Sequence, residues 1–557
     1  MKIILYSLLT LSLVNCSFKS KDKLAEEKTQ PNILFIMTDD HAYQAISAYD
    51  TSLIETPNID RLAKEGMLFN KAYVTNSICS PSRAVALTGK FSHINGLKDN
   101  WDVFDSTQVT YPKILQKNGY QTAIVGKWHL KSEPTGFDYW QVLPGQGDYY
   151  KPVFRTPEGK ITEEGYVTDV TTDKSINWLS NIRDKSKPFM LMLHQKAPHR
   201  EWLPAQRHLD ELTSKVYPEP SSLFDDYKNR GTAANTAEMR IFDHMGLSSD
   251  VKVPIETVEK LGFKEFMKWY GGAYKNNLSR LTSEELAKWD STYQPIIDKF
   301  IENTPEGDEL TRWKFQRYMQ DYLACIKSVD ENVGRVLDYL DESGLAENTL
   351  VIYTSDQGFY LGEHGWFDKR FMYEESFRTP LIVRWPNQID AGTTNSELVQ
   401  NLDFAPTMLT AAGVEVPEDM QGLSLMPLLE GADTTLRDAL YYHYYEYPSI
   451  HMVKRHYGVK TQRYKLIHFY YDIDEWELYD LETDPKEMNN VYGNPDYADV
   501  QAELHTRLEE LRVQYGDSDE LTQELLKSDL ERIAFHKKKR AEREKKEKAE
   551  EAKKNKE

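Results

Sequence analysis

Five short runs that are apolar almost throughout constrain this 557-residue chain more than any other feature: Asn32–Met37, Gln121–Gly126, Pro188–Leu193, Leu350–Thr354 and Leu381–Arg384. Runs of this length without polar alternation suit strands buried on both faces. Between them lie stretches with helical spacing, at Asn58–Glu65, Ser82–Leu87, Tyr111–Asn118, Val170–Ile182 and Arg312–Asp341. Strands that alternate with helices predict an α/β fold, a mostly parallel central sheet sandwiched by helices. With 40% apolar residues the chain can build such a core.

The pattern also divides the chain. Residues 31–430 carry the strand–helix alternation. From about 209 to 310 the strand signal disappears, and the segment reads as a helical insertion, either a solvated excursion or a wall of a substrate cleft. Beyond it, residues 431–535 read as a smaller C-terminal α+β domain on an antiparallel sheet. Its pieces are the aromatic stretch Tyr441–Tyr447, strands in Tyr457–Leu466 and Trp476–Asp480, and a helix over Tyr497–Tyr515. Residues 536–557 alternate blocks of Lys, Arg and Glu and read as a solvated helix or a disordered tail.

At the N-terminus, Lys2 precedes an apolar run, Ile3–Val14, too short to span a bilayer. It ends in Leu13-Val14-Asn15-Cys16, which resembles a bacterial lipobox with Cys16 as the lipidated first residue of the mature chain; Asn15 departs from the small residue usual there. The alternatives are an ordinary secretory peptide or a short uncleaved anchor. The expectation is therefore a signal peptide over 1–16, a tether over 17–30, and an exported lipoprotein of the outer membrane, facing the periplasm or the cell surface. Its only membrane contact is the lipid. Only three cysteines occur, so an exported fold has no disulfide framework to lean on. A formal charge of −20 argues against a nucleic-acid partner and leaves room for a local basic pocket.

The chemistry gathers where the apolar runs end. Asp39 and Asp40 follow the first, Lys127 and His129 the second, His194 and His199 the third, Asp356 and Gln357 the fourth. In an open α/β sheet, ligands bind outside the carboxyl ends of the strands, so residues hundreds of positions apart are expected on one edge. Asp39, Asp40, Asp356 and Gln357 offer only oxygen donors, which suit a hard cation, Ca2+ or Mg2+, rather than zinc. An Asp-Asp pair after a strand is by itself more often a turn or helix cap, and the second acidic-amide pair at another strand end reverses that balance. Cys79 sits just before Pro81 at a helix start, where anions are favoured and thiols acidified. It is either a nucleophile or a buried apolar residue. Arg83, Lys127 and Lys369 offer fixed positive charge to a tetrahedral dianion, and His129 and His199 can shuttle protons.

Six ordered blocks carry a resemblance over residues 31–515. They are Asn32-Ile33-Leu34-Phe35-Ile36-Met37-Thr38-Asp39-Asp40, Cys79-Ser80-Pro81-Ser82-Arg83-Ala84, Gly126-Lys127-Trp128-His129, Ala197-Pro198-His199, Ser355-Asp356-Gln357-Gly358 and Lys369-Arg370-Phe371-Met372-Tyr373-Glu374. The chain resembles the type I sulfatases of the alkaline-phosphatase superfamily. Trp476–Leu481 and Asp484-Pro485 match them too. The resemblance implies an alkaline-phosphatase-like sheet and a Cys79 converted to formylglycine by a separate formylglycine-generating enzyme. It implies one Ca2+ bound by Asp39, Asp40, Asp356, Gln357 and the modified Cys79. It further implies that Arg83 and Lys127 steady the formylglycine and sulfate, and that His199 and Lys369 hold the sulfate and assist the leaving alcohol. The resemblance also implies that Asp356 takes the attacking hydroxyl's proton and that His129 regenerates the aldehyde.

His194–Arg200 and Leu361–Gly365 are similar to bacterial carbohydrate sulfatases, those grouped with N-acetylglucosamine-6-sulfatases and a branch acting on algal ulvan. The expected substrate is a sulfated carbohydrate, a glycosaminoglycan or an algal polysaccharide, with His41, Arg200, His364, His451 and Arg455 as candidate contacts. Two rivals remain at this level. A phosphodiesterase of the same superfamily would use Ser or Thr and two zinc ions with extra histidines, which Cys79 and Gln357 argue against. A non-catalytic carbohydrate-binding lipoprotein would be signalled by loss of Cys79, Lys127 or His129, and all three are present.

Overall fold

The computed structural model describes residues 30–266 and 270–554. The signal peptide, Cys16 and all of the tether but Gln30 lie outside the described residues.

A ten-stranded sheet organises the chain. In chain order its strands are β1 (Asn32–Thr38), β2 (Met67–Phe69), β3 (Gln121–Lys127), β4 (Tyr139–Leu143), β5 (Val153–Thr156), β6 (Gly159–Thr162), β7 (Phe189–His194), β8 (Thr349–Ser355), β9 (Leu381–Arg384) and β10 (Thr393–Asn395). Across the sheet they run β10-β2-β9-β8-β1-β7-β3-β4-β5-β6. The centre, β8-β1-β7-β3-β4, is parallel, while β9 runs antiparallel to both neighbours and β5 and β6 extend the far edge as antiparallel strands.

Alternate side chains of the central strands enter two separate cores. Leu34 and Ile36 of β1, Leu191 and Leu193 of β7, and Val351 and Tyr353 of β8 face one side. There they meet the helices α1 (Pro57–Lys64), α4 (Val167–Asn177) and α6 (Gly307–Glu342). Ile33, Phe35, Met37, Met190, Met192, Leu350 and Ile352 face the other, against α2 (Cys79–Thr88), α3 (Tyr111–Lys117) and α7 (Phe404–Ala411). Each such side chain, once buried, contributes about 1.5–3 kcal/mol, and this two-sided demand is why the runs are apolar at every position.

The segment expected as a helical insertion contains no strand among its described residues. Its principal helix, α5 (Ser283–Glu302), opens on a reciprocal cap between Thr282 and Glu285. The C-terminal sheet has four antiparallel strands in sequence order: β11 (Ala439–Tyr444), β12 (His456–Thr461), β13 (Tyr464–Phe469) and β14 (Glu475–Asp480). The stretch Tyr457–Leu466 is therefore two strands joined by a turn at Gln462–Arg463. One face carries α8 (Ala498–Tyr515) through Leu504, Leu508 and Leu511. The opposite face, with Leu440, Tyr442 and Phe469, packs on Tyr73, Trp366, Phe371 and Tyr373. Residues 431–535 thus share a core with residues 31–430, and the chain from Pro31 on clusters into one compact unit. A last helix, α9 (Asp519–Lys554), runs unbroken through the boundary expected at 535.

Candidate active site

Strand register builds the site. Met37 lies opposite His194, Thr38 opposite Ser355, and Gly126 opposite His194, so β1, β3, β7 and β8 end at one level. Whatever follows each strand therefore meets at one edge. Asp39 and Asp40 leave β1, Lys127 closes β3, and Asp356 and Gln357 leave β8; all five are buried. Asp40 and His129 have φ of 67° and 58°, a left-handed backbone that Asp and His tolerate better than most residues. Cys79 is the first residue of α2 and points its sulfur at Asp39, with Sγ 3.4 Å from Oδ1. Pro81 sits in the first turn, where its missing N–H costs nothing.

Charges alternate through the cluster. Arg83, one turn into α2, donates from Nε and Nη2 to Asp356 Oδ2 at 3.0 and 2.8 Å and from Nη1 to the Lys127 carbonyl at 3.2 Å. The Lys127 ammonium touches Asp39. Lys369 Nζ donates to Asp40 Oδ1 at 2.5 Å, and Gln357 Nε2 donates to the same oxygen. His199 Nε2 stands 3.8 Å from Asp40 Oδ2. Ser80 Oγ, beside Cys79, lies 3.1 Å from His129 Nδ1.

Burial dominates the titration of these groups. It holds the Cys79 thiol well above its ordinary range, despite Lys369 nearby. As a free thiol, Cys79 is therefore protonated and a poor nucleophile. Burial, with Lys127 and Arg83, keeps His129 neutral; burial, Lys127 and Lys369 do the same for His199. Burial pushes Asp40 up to about 6, with Lys369 working against it and Asp356 adding to it. Burial opposes the charge of Lys369 too, but the neighbouring carboxylates, Asp40 foremost and then Asp368, outweigh it and raise the ammonium above its usual range.

Asp39, Asp40 and Asp356 each present an oxygen within 4.8 Å of the others. Asp40 Oδ2 and Gln357 Oε1 are buried with no hydrogen-bond partner among the described residues. Crowded carboxylates with orphaned oxygens fit a hard cation. A second grouping at the same spot, Asp39, Cys79 and His199, would mix sulfur and nitrogen with oxygen. There Nδ1 of His199 donates to the Arg200 carbonyl at 2.7 Å and leaves Nε2 as the candidate ligand atom, but the oxygen set, with Gln357 beside it, is the fuller one.

Cys79, His199 and Lys369 open into a cavity of about 290 Å³. Of the five candidate substrate contacts, only Arg200 lines it, and Asp250 of the helical insertion holds it from Nε and Nη2 at 2.6 Å each. Lys252, also of the insertion, donates to the Glu201 carbonyl at 2.6 Å, so this segment braces a wall of the cavity. The other four require correction. His41 is sealed in the core between Tyr353 Oη at 2.7 Å and the Ala45 carbonyl. His364 lies in an aromatic nest, its Nδ1 taken by Arg230. Arg455 pairs with Asp529 at 3.0 Å. His451 stands behind the wall, 3.3 Å from Asp368. Each offers suitable chemistry that burial has already spent on protein partners. The residues that do line the cavity and escaped the sequence reading include Asn100, Trp101, Lys131, Asp368, Arg370 and Glu446. Asp368 and Arg370 flank Lys369, so their neighbourhood was a usable signal; the rest carry none.

A parallel α/β sheet that brings a helix-borne cysteine, three cations and an oxygen-only acidic cluster to one edge defines a hydrolase of anionic esters. The chain belongs to the sulfatase family: the family described as Sulfatase matches residues 31–414, and that described as N-sulphoglucosamine sulphohydrolase, C-terminal, matches residues 362–514. It is a sulfuric ester hydrolase. It is 53% identical over 522 residues to an N-acetylglucosamine-6-O-sulfatase of Bacteroides thetaiotaomicron, spanning 93% of this chain and 91% of that protein. A solved structure in complex with D-glucosamine-2-N,6-O-disulfate superposes with a TM-score of 0.84 at 53% identity, over 88% of this chain and 99% of that one. An ulvan-active sulfatase of Formosa agariphila is 25% identical, over 91% of this chain and 86% of that protein.

Proposed function

We propose that this sulfatase removes the 6-O-sulfate of a glucosamine residue in a sulfated glycan. The observation that carries the reading is Cys79 at the head of α2, its thiol held protonated by burial, with Arg83, Lys127 and Lys369 gathered around it. The 53% identity to the N-acetylglucosamine-6-O-sulfatase supports the sugar and the sulfate position over the algal alternative. Conversion of Cys79 to formylglycine by a separate maturation enzyme supplies a hydrated aldehyde as nucleophile, and one Ca2+ held by Asp39, Asp40, Asp356, Gln357 and the modified residue supplies Lewis acidity.

The chain's own residues do the rest. Arg83 is oriented by Asp356, so its guanidinium is fixed before substrate arrives. Lys127 and Lys369 add charge where the sulfate oxygens sit, and Lys369 can donate toward the leaving alcohol, while neutral His199 beside it donates from Nδ1 to the Arg200 carbonyl and presents Nε2 as an acceptor. Asp356 takes the proton of the attacking hydroxyl. His129, neutral in its site, accepts the proton whose loss releases sulfate. The protein is exported, anchored by a lipid on Cys16 in the outer membrane, and labelling with a fatty acid should be lost in Cys16→Ser. The decisive experiment co-expresses the chain with a maturation enzyme. Intact mass should report the thiol-to-aldehyde conversion at Cys79, and sulfate should be released from 6-O-sulfated glucosamine with Ca2+ present. Full conversion with no sulfate release from that sugar overturns the reading.

A further inference from the structure

Asp99, Asp102 and Asp529 crowd together beside Asn100 and Trp101, which line the cavity, and Arg532 fills the space between them. Its Nη1 donates to Asp99 Oδ1 at 3.0 Å and to Asp102, and its Nη2 to Asp99 and to Asp529 Oδ1 at 3.2 Å. Lys98 Nζ adds contacts to Asp102 at 3.0 Å and Asp529 at 3.5 Å. Arg532 and Asp529 belong to α9, which begins beyond residue 514, where the family matches end.

The loop they hold, Lys98–Asp102, is part of the cavity rim. Asp99 Oδ1 accepts from the backbone N–H groups of Trp101 and Asp102 at 2.9 and 3.0 Å and so folds the turn. Asn100 donates its backbone N–H to Glu446 at 2.9 Å and accepts from the Ser80 N–H at 3.2 Å, one residue from Cys79. Trp101 is thereby presented at the mouth with 49% of its surface exposed, where most large aromatic side chains of this chain are buried. Its Nε1 donates to Ser449 Oγ at 3.3 Å, and Lys131 Nζ lies 5.7 Å from its ring centre. An indole exposed beside a polar cavity offers a flat apolar face to a pyranose ring. The Asp99 side chain is only 3% exposed, so losing Arg532 removes the ion pair of a buried carboxylate and frees the turn to move, whereas Asp529 keeps Arg455 at 3.0 Å and Lys98 at 3.5 Å.

We propose that Trp101 binds the sugar adjoining the sulfated residue, and that Arg532 of the C-terminal helix is the positioning residue that holds Trp101 at the mouth. The proposal rests on the glycan reading above. It is tested on the unmatured Cys79 protein, which binds without turnover, by calorimetry with 6-O-sulfated glucosamine and with a disaccharide ending in it. The disaccharide should bind the tighter. Trp101→Ala should weaken its binding roughly three- to tenfold. Arg532→Ala should weaken it similarly with the monosaccharide unmoved, Arg532→Lys should restore most of the loss, and the Trp101→Ala/Arg532→Ala pair should add nothing further. In matured protein Arg532→Ala should raise KM for the disaccharide and leave kcat alone. Unchanged disaccharide affinity in either single variant, or additive losses in the pair, overturns the proposal. Failure of the mature wild type to release sulfate instead strikes the proposed function, and the binding series still decides the role of Trp101.

Discussion

His129, half-buried, and His456, fully buried, are both held neutral, and their surroundings give them different work. His129 sits beside Ser80 in the charge cluster, so His129→Ala should lower kcat roughly 10²–10⁴-fold while the mass change at Cys79 stays complete; steady-state kinetics with intact-mass analysis separates the two effects. His456 sits in the core between the two sheets. Its Nδ1–H donates to the Lys454 carbonyl at 2.8 Å, and its Nε2 accepts from the Met372 N–H at 3.1 Å. A second proton would destroy that acceptor. Burial lowers its folded pKa from 6.5 to about 3. Unfolded protein therefore takes up a proton that folded protein refuses, and the stability His456 supports is complete above about pH 6.5 and lost as pH falls toward 3. His456→Gln should unfold at about pH 5 with about one fewer proton taken up, read from the slope of Tm against pH.

Strands set the positions that residues exploit. The last residue but one of β3 is Gly126, whose φ of 105° and close approach to the His194 carbonyl exclude a Cβ. Gly126→Ala should cost about 1–3 kcal/mol of stability and lower kcat by displacing Lys127, measured by denaturant unfolding and turnover. The five strands read from sequence were legible because each is enclosed on both faces and must be apolar throughout. β5 and β6 were not, since they form an edge where Gly159 and Lys160 are exposed and no apolar alternation is required. The acidic and basic residues at the strand ends were legible for the same reason, standing where an apolar run stops. Trp101, Glu446 and Arg532 were not, because their position depends on a loop, a sheet and a terminal helix closing together. His41, His364, His451 and Arg455 were chosen for residue type, and sequence does not tell whether a side chain faces a cavity or has been claimed by a neighbour.

Across the whole molecule, residues from 39 to 369 assemble one charge cluster, and a cation that binds only the folded cluster stabilises the entire fold. Saturating Ca2+ at about 100 times its Kd should add about 2.7 kcal/mol and raise Tm, an effect Asp39→Asn should abolish in scanning calorimetry. The same burial has a consequence in time. Cys79, Ser80 and Ser82 are at most 1% exposed, and Arg83 is 2% exposed. A maturation enzyme that must grip this segment meets it only before the chain has closed around it. Under the proposed conversion of Cys79, maturation and folding are thus competing clocks, and the fraction of active molecules a cell obtains would be set by which of the two runs faster.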